Sequence, residues 1–124
     1  MQQQPERALI TGGSRGIGRA IALALAATGA AVAVNYAGNK TEAEKTVQAC
    51  LAAGAADAFA LQADIADEAQ AAALIAETAA RLGGLDILVN NAGITRDGLL
   101  VRLSAAQFGE VLATNLQGAF HCMK

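Results

Sequence analysis

The feature that most constrains this chain is residues 8 to 20, Ala-Leu-Ile-Thr-Gly-Gly-Ser-Arg-Gly-Ile-Gly-Arg-Ala, an apolar run that breaks into glycines and then turns alanine-rich. That order reads as strand, turn, helix. A glycine-dense turn brings backbone N–H groups up to a ligand with no Cβ in the way, and the positive end of the following helix points at the same place. The combination suits a phosphate. It stands in the first βαβ unit of the chain, the context that a dinucleotide fingerprint requires.

The remaining sequence repeats the alternation. Strand patterns at Arg7–Thr11, 31–35, 57–61 and 85–90 are separated by helical patterns over about 17–28, 40–53 and 68–82, the mark of βαβ units and a parallel sheet. Gly29, Gly54 and Gly83-Gly84 follow these helices as left-handed caps. Asn39 with Glu42, and Asp67 with Gln70, have the spacing of capping boxes. Ala43, Val47, Cys50 and Leu51 fall on one face of the second helix, and Ala71, Leu74, Ile75, Thr78 and Leu82 on one face of the third. With 54% hydrophobic and 16% charged residues, and with Ile87-Leu88-Val89 aliphatic throughout, the sheet is expected to be covered on both faces.

Residues 91–103 are expected to form a loop. Ser104 with Gln107 then has the spacing of a third capping box, opening a helix whose stripe of Phe108, Val111, Leu112, Leu116, Ala119, Phe120 and Met123 runs on without a stop signal. The expectation is one domain over residues 1–124, truncated within its last helix.

Charge and cysteine content exclude several functions. A formal net charge of -2 and the absence of a Lys/Arg cluster argue against a nucleic-acid surface. No apolar run is long enough to cross a bilayer, and Met1-Gln2-Gln3-Gln4-Pro5 has no signal-peptide character, so a cytoplasmic protein is expected. Cys50 and Cys122 stand far apart with no histidine pattern beside them, which points away from metal or disulfide chemistry.

The spacing of the first motif, Thr11-Gly12-x-x-x-Gly16-x-Gly18, resembles that of the short-chain dehydrogenase/reductase family. Asn90-Asn91-Ala92-Gly93 is similar to that family's second signature, and Gly93-Ile94-Thr95-Arg96-Asp97 resembles the bacterial 3-oxoacyl-acyl-carrier-protein reductases within it. The resemblance spans the chain but only about the first half of such an enzyme. It implies an α/β fold: half of a doubly wound Rossmann sheet, four parallel strands in order 3-2-1-4 with helices on both faces.

The resemblance also assigns residues. Gly12 would make the turn out of the strand, Gly16 would admit the pyrophosphate and Gly18 would let the helix pack close, with Gly13, Ser14, Arg15 and Ile17 completing the turn. Asp64 and Ile65 would touch the adenine. Asn91, Ala92 and Gly93 would line the nicotinamide-side ribose, and Asn90 would brace the sheet. Asn115 matches the helix asparagine of the family's catalytic tetrad, whose serine and Tyr-x-x-x-Lys pair would follow a fifth parallel strand. Tyr36 and Lys40 do spell Tyr-x-x-x-Lys, but in a glycine-containing loop at the wrong end of the site. His121 reads as an ordinary helix residue.

Cofactor choice follows from charge. An NAD site offers a carboxylate at the end of the second strand; here Asn35 stands there, no acid follows until Glu42, and Arg15 can grip a phosphate, so NADP(H) is expected. The implied parent activity is NADPH-dependent reduction of a 3-oxoacyl thioester carried on acyl-carrier protein, with this chain catalytically incomplete by itself. The alternative is a self-associating structural fragment without cofactor binding. Either way a homo-oligomer paired across a bare strand four is expected.

Overall fold

Strand β1 (Arg7–Thr11) is central because it is apolar on both faces: Ala8, Leu9 and Ile10 are each 0% exposed. It pairs in parallel with β2 (Ala31–Tyr36) on one edge and with β4 (Ile87–Asn90) on the other. Outside β2 lies β3 (Asp57–Gln62), also parallel. The order 3-2-1-4 expected from the sequence is present. A computed structural model describes residues 5–12 and 16–90, together with the backbone of one further strand at 99–102.

Alternation along the strands divides the core in two. Ala8, Ile10, Val32, Val34, Ile87 and Val89 face α1 (Gly16–Ala27) and α2 (Lys40–Ala53), packing with Ala22, Ala26, Ala43, Val47 and Cys50. Leu9, Ala33 and Leu88 face the other way, onto Ala71, Leu74 and Ile75 of α3 (Glu68–Leu82). The buried residues of α1 are Gly18, Ala22 and Ala26. Small side chains at four-residue spacing line up on one helix face and let the α1 axis lie close to the sheet. Among the described residues, no helix is long and apolar enough to cross a membrane.

The caps form with altered partners. Asn39 accepts from the Glu42 N–H at 3.1 Å, while the Glu42 carboxylate is taken by Arg19. Asp67 Oδ1 accepts from the N–H groups of Ala69 and Gln70 at 2.9 and 3.2 Å. The Asp67 N–H already donates to the Asp64 carbonyl at 3.0 Å, so Gln70 Oε1 accepts from the Asp64 N–H at 2.8 Å. Gly54 and Gly83 close α2 and α3 in the left-handed conformation.

Two expectations are corrected. The segment read as a loop from 91 to 103 contains β5 (Leu99–Arg102), antiparallel to β4 and in register with all four of its residues. Leu99-Leu100-Val101 is too short an apolar run to declare itself a strand; the unpaired edge of β4 recruits it. That edge is therefore not bare, and the reason given for self-association across strand four disappears. Strand β4 also begins at Ile87 rather than at 85, because the Arg7 N–H is taken by the Asp86 carboxylate at 2.9 Å and not by a backbone carbonyl.

Arg7 and Asp86 fasten the amino ends of β1 and β4. Arg7 Nε and Nη2 donate to the two carboxylate oxygens at 2.9 and 3.1 Å, and Nη1 donates to the Gly83 carbonyl at 2.7 Å. Asp86 raises the Arg7 pKa, chiefly through the hydrogen bond. The fork lies flat on Gly84, whose φ is +149° and where an added Cβ would stand 2.5 Å from Nη1 and 2.7 Å from Cζ. Three bonds prevent the guanidinium from moving aside. Gly84→Ala is expected to cost about 1–3 kcal/mol in urea denaturation. The control Gly38→Ala, where nothing lies within 4 Å of the new methyl, should stay within about 0.5 kcal/mol.

Candidate functional site

β2 and β3 lie on one side of β1 and β4 on the other, so the strand order reverses between β1 and β4 and their carboxyl ends mark the topological switch of the sheet. Open α/β sheets take ligands in the crevice outside the carboxyl ends of their strands at such a switch point. Thr11 and Asn90 sit opposite each other there, both 0% exposed. Thr11 Oγ1 donates to Asn90 Oδ1 at 2.9 Å, which latches the two strand ends together. Asn90 Nδ2 is buried without a hydrogen-bond partner among the described residues.

The chain leaves β1 through Gly12 at φ 63° and enters α1 at Gly16, φ 62°. Among the described residues, nothing beyond its chain neighbours and its own helix backbone lies within 4 Å of where a Gly16 Cβ would stand. The backbone there is open to a ligand, and a side chain would both strain it and fill the opening. Ile17 beside it is 60% exposed, whereas Gly18 is buried against the sheet. The first turns of α2 and α3 carry Glu42 and Glu68; that of α1 carries no acid. The positive end of α1 is thus not balanced by a carboxylate in its own first turn, as an anion site requires.

Asn35, expected among the cofactor-binding residues, is a brace between strand ends in this structure. It is 2% exposed. Its Oδ1 accepts from the Gly12 N–H at 3.3 Å, and its Nδ2 donates to the carbonyls of Ala63 at 3.1 Å and Leu61 at 3.3 Å. One side chain therefore ties together the carboxyl ends of β1, β2 and β3. The alternation of a strand buried on both faces turns residue 35 into the sheet and leaves Tyr36, half-buried, at its end.

Asp64 and Ile65 follow β3. Asp64 is exposed; its Oδ1 accepts from the Ala66 N–H at 3.0 Å, which holds the carboxylate in a tight turn at the end of the strand. Ile65 packs partly buried against the cluster around Leu9 and Leu88. The expected residues Gly13, Ser14, Arg15, Asn91, Ala92, Gly93 and Asn115 lie outside the described residues, as do His121, Cys122 and the cap expected from Ser104 and Gln107.

Tyr36 and Lys40 do not form a helical pair. Tyr36 ends β2 and Lys40 opens α2, where its Nζ lies 3.9 Å from Glu44 Oε1. Both line an open groove of about 590 Å³ between α2 and the edge strand, floored by Ala60. Cys50 is a free thiol in the core, and burial pushes its pKa up. Among the described residues, no group of three or more His, Cys, Asp or Glu side chains could hold a metal ion.

Sequence reasoning missed Arg19. It crosses from α1 to α2, with Nε donating to Thr46 Oγ1 at 2.8 Å and Nη2 donating to Glu42 Oε2 at 2.6 Å. Glu42 and Thr46 share a helix face, a signal that becomes readable only once α1 and α2 are known to be neighbours. The Arg19 hydrogen bond, followed by the charge of Lys45, holds the Glu42 carboxyl below the usual carboxylate range.

The fold and the glycine turn at its switch point are those of a dinucleotide-type oxidoreductase domain, and the chain belongs to the short-chain dehydrogenase family, whose model matches residues 6–124. It is 53% identical over 117 residues to the 3-oxoacyl-[acyl-carrier-protein] reductase FabG of Staphylococcus aureus, covering 94% of this chain and 47% of that protein. Among solved structures it is similar to a blue fluorescent protein from a metagenomic library in complex with NADPH, at TM-score 0.67 and 47% identity over 72% of this chain and 36% of that one. The NADH-dependent reductase A1-R' complexed with NAD matches at TM-score 0.68 and 35% identity, over 73% of this chain and 37% of the other. The chain spans about half the length of the curated relatives it matches, 47% in the case of the S. aureus protein.

Two outcomes test the site's scaffold. Asn35→Ala leaves Gly12 N–H and two carbonyls without their partner and should lower stability by about 1–3 kcal/mol in urea denaturation. Because the folded-state pKa of Glu42 is depressed, the stability from its pairing is present above the unfolded glutamate pKa and is lost as pH falls through the lower folded value. Thermal unfolding followed from neutral to strongly acid pH should show Glu42→Gln less stable than the parent near neutrality, with the gap closing only in that acid window.

Proposed function

We propose that this chain is the cofactor-binding half-domain of an NADPH-dependent 3-oxoacyl thioester reductase. One observation carries the reading: an open glycine turn, with Gly12 and Gly16 at positive φ, in front of a helix without a first-turn acid, placed at the switch point of the sheet. The residues fit a pyrophosphate, since the space a Gly16 side chain would take is empty. Bound there, a nicotinamide dinucleotide supplies a hydride to a carbonyl.

The chain's own residues bind and orient. Backbone N–H groups of the turn between Gly12 and Gly18 hold the pyrophosphate, that of Gly12 itself being taken by Asn35, with Gly13 and Ser14 in the turn and Ile17 presenting an apolar side chain beside it. Asp64 and Ile65 receive the adenine, and Asn91, Ala92 and Gly93 line the nicotinamide-side ribose. Asn115 is the one tetrad residue of the family pattern that this sequence carries; its only tyrosine is Tyr36, at the adenosine end. The 124 residues by themselves therefore bind the dinucleotide without reducing the thioester.

Preference for NADP(H) is supported by the end of β2. Residues 35 to 41 hold no carboxylate, and Glu42 is engaged by Arg19. Arg15 supplies the cation for the 2′-phosphate. The substrate proposed for the whole enzyme, by likeness to the S. aureus reductase, is a 3-oxoacyl group on acyl-carrier protein, in the cytoplasm.

Calorimetric titration of this chain with NADPH and NADH tests the reading. NADPH is expected to bind, Arg15→Ala should weaken it roughly tenfold, and NADH affinity should change less than about twofold. A folded chain that binds neither dinucleotide would overturn the proposal.

A further inference from the structure

Glu42 is the first carboxylate after β2, and the structure accounts for its charge. Its Oε2 accepts from Arg19 Nη2 at 2.6 Å, and its backbone carbonyl accepts from the same nitrogen at 3.1 Å. Arg19 Nε meets the hydroxyl of Thr46, which is 0% exposed and which itself donates to the Glu42 carbonyl at 3.2 Å. Lys45 Nζ stands 3.7 Å from Glu42 Oε1, but that lysine is 63% exposed and sits on the same helix. The fixed counter-charge therefore comes from α1.

Position gives the pair its significance. Arg19 follows Gly18 directly, and Glu42 occupies the first turn of α2 just past the end of β2. The pair joins the first turns of α1 and α2, the helices that open directly after the two segments the cofactor reading uses, the glycine turn and the β2–α2 connection. In dinucleotide folds a carboxylate at the end of the second strand accepts from a ribose 2′-hydroxyl and repels a 2′-phosphate. Here the nearest acid is present but neutralised.

We propose that the Arg19–Glu42 pair sets cofactor selectivity: by holding the Glu42 charge in a fork, Arg19 keeps the adenosine end permissive to a 2′-phosphate. Arg19 is a positioning residue that acts through Glu42. The inference rests on the cofactor reading above and adds to it a determinant outside the glycine motif. Without Arg19, the counter-charge left beside Glu42 is the exposed Lys45 on its own helix, and exposed pairs of that kind screen weakly. Its field then opposes the doubly charged 2′-phosphate of NADPH and leaves NADH little affected.

The test is a titration with NADPH and NADH of the parent chain, Arg19→Gln, Glu42→Gln and the double variant, at about 0.05 M and about 0.5 M salt. Arg19→Gln should lower the NADPH-to-NADH affinity ratio about fivefold at low salt, with a smaller drop at high salt. The double variant should restore the ratio. A clamp that only holds helices together would weaken both cofactors equally and would not be rescued by Glu42→Gln, and that result overturns the inference alone. Should Arg19→Gln fail to fold, Glu42→Gln decides: a ratio shifted further toward NADPH supports the inference, and an unchanged or lowered ratio sinks it. A folded parent that binds neither cofactor overturns the cofactor reading, and this inference with it.

Discussion

Pairing of β1 along both of its edges is the constraint on which the rest of the molecule depends. A strand with neighbours on each side and apolar residues on each face must be covered by helices above and below. Leu9, between two residues that face α1 and α2, is the one that needs α3. The strand order reverses between β1 and β4, which makes their carboxyl ends the switch point of the sheet. Thr11 and Asn90 hold these two strand ends at hydrogen-bond distance, a polar latch inside an otherwise apolar layer.

Polar side chains in this structure act mainly as ties between elements, and their places divide the labour. Arg7 and Asp86 fasten the amino end of the sheet, away from the crevice, where a bidentate fork can also cap the carbonyl that ends α3. At the carboxyl end Asn35 bonds to the β1 turn and to the residue that follows β3, so the glycine turn and the end of β3 are referenced to one side chain. Arg19 adds a third tie, between α1 and α2. A site assembled from turns on separate strands keeps its geometry only if such ties fix the turns relative to one another.

Much of this was legible in local pattern. The parallel strands, the three helices and their glycine ends follow from periodicity and capping chemistry, which depend on neighbours a few residues away. The glycine turn was equally legible, since the backbone of Gly12 and Gly16 has to adopt conformations that other residues resist. The β5 strand was not, because three aliphatic residues become a strand only when a free edge is beside them. The bracing role of Asn35 was not legible for a related reason: the residue type at a strand end is visible, but the direction its side chain takes depends on which face the sheet buries.

The sequence by itself determined the class of fold, the position of the glycine turn and the absence of an acid at the end of β2, because each is written in residues close together in the chain. Only the tertiary structure decided which distant side chains meet. Arg19 with Glu42, Asn35 with Gly12 and Ala63, and Arg7 with Asp86 are contacts between elements that the strand order brings together. Their physical content, the neutralising of a charge or the satisfying of a buried amide, exists only at hydrogen-bond distance, and sequence spacing carries no information about that distance.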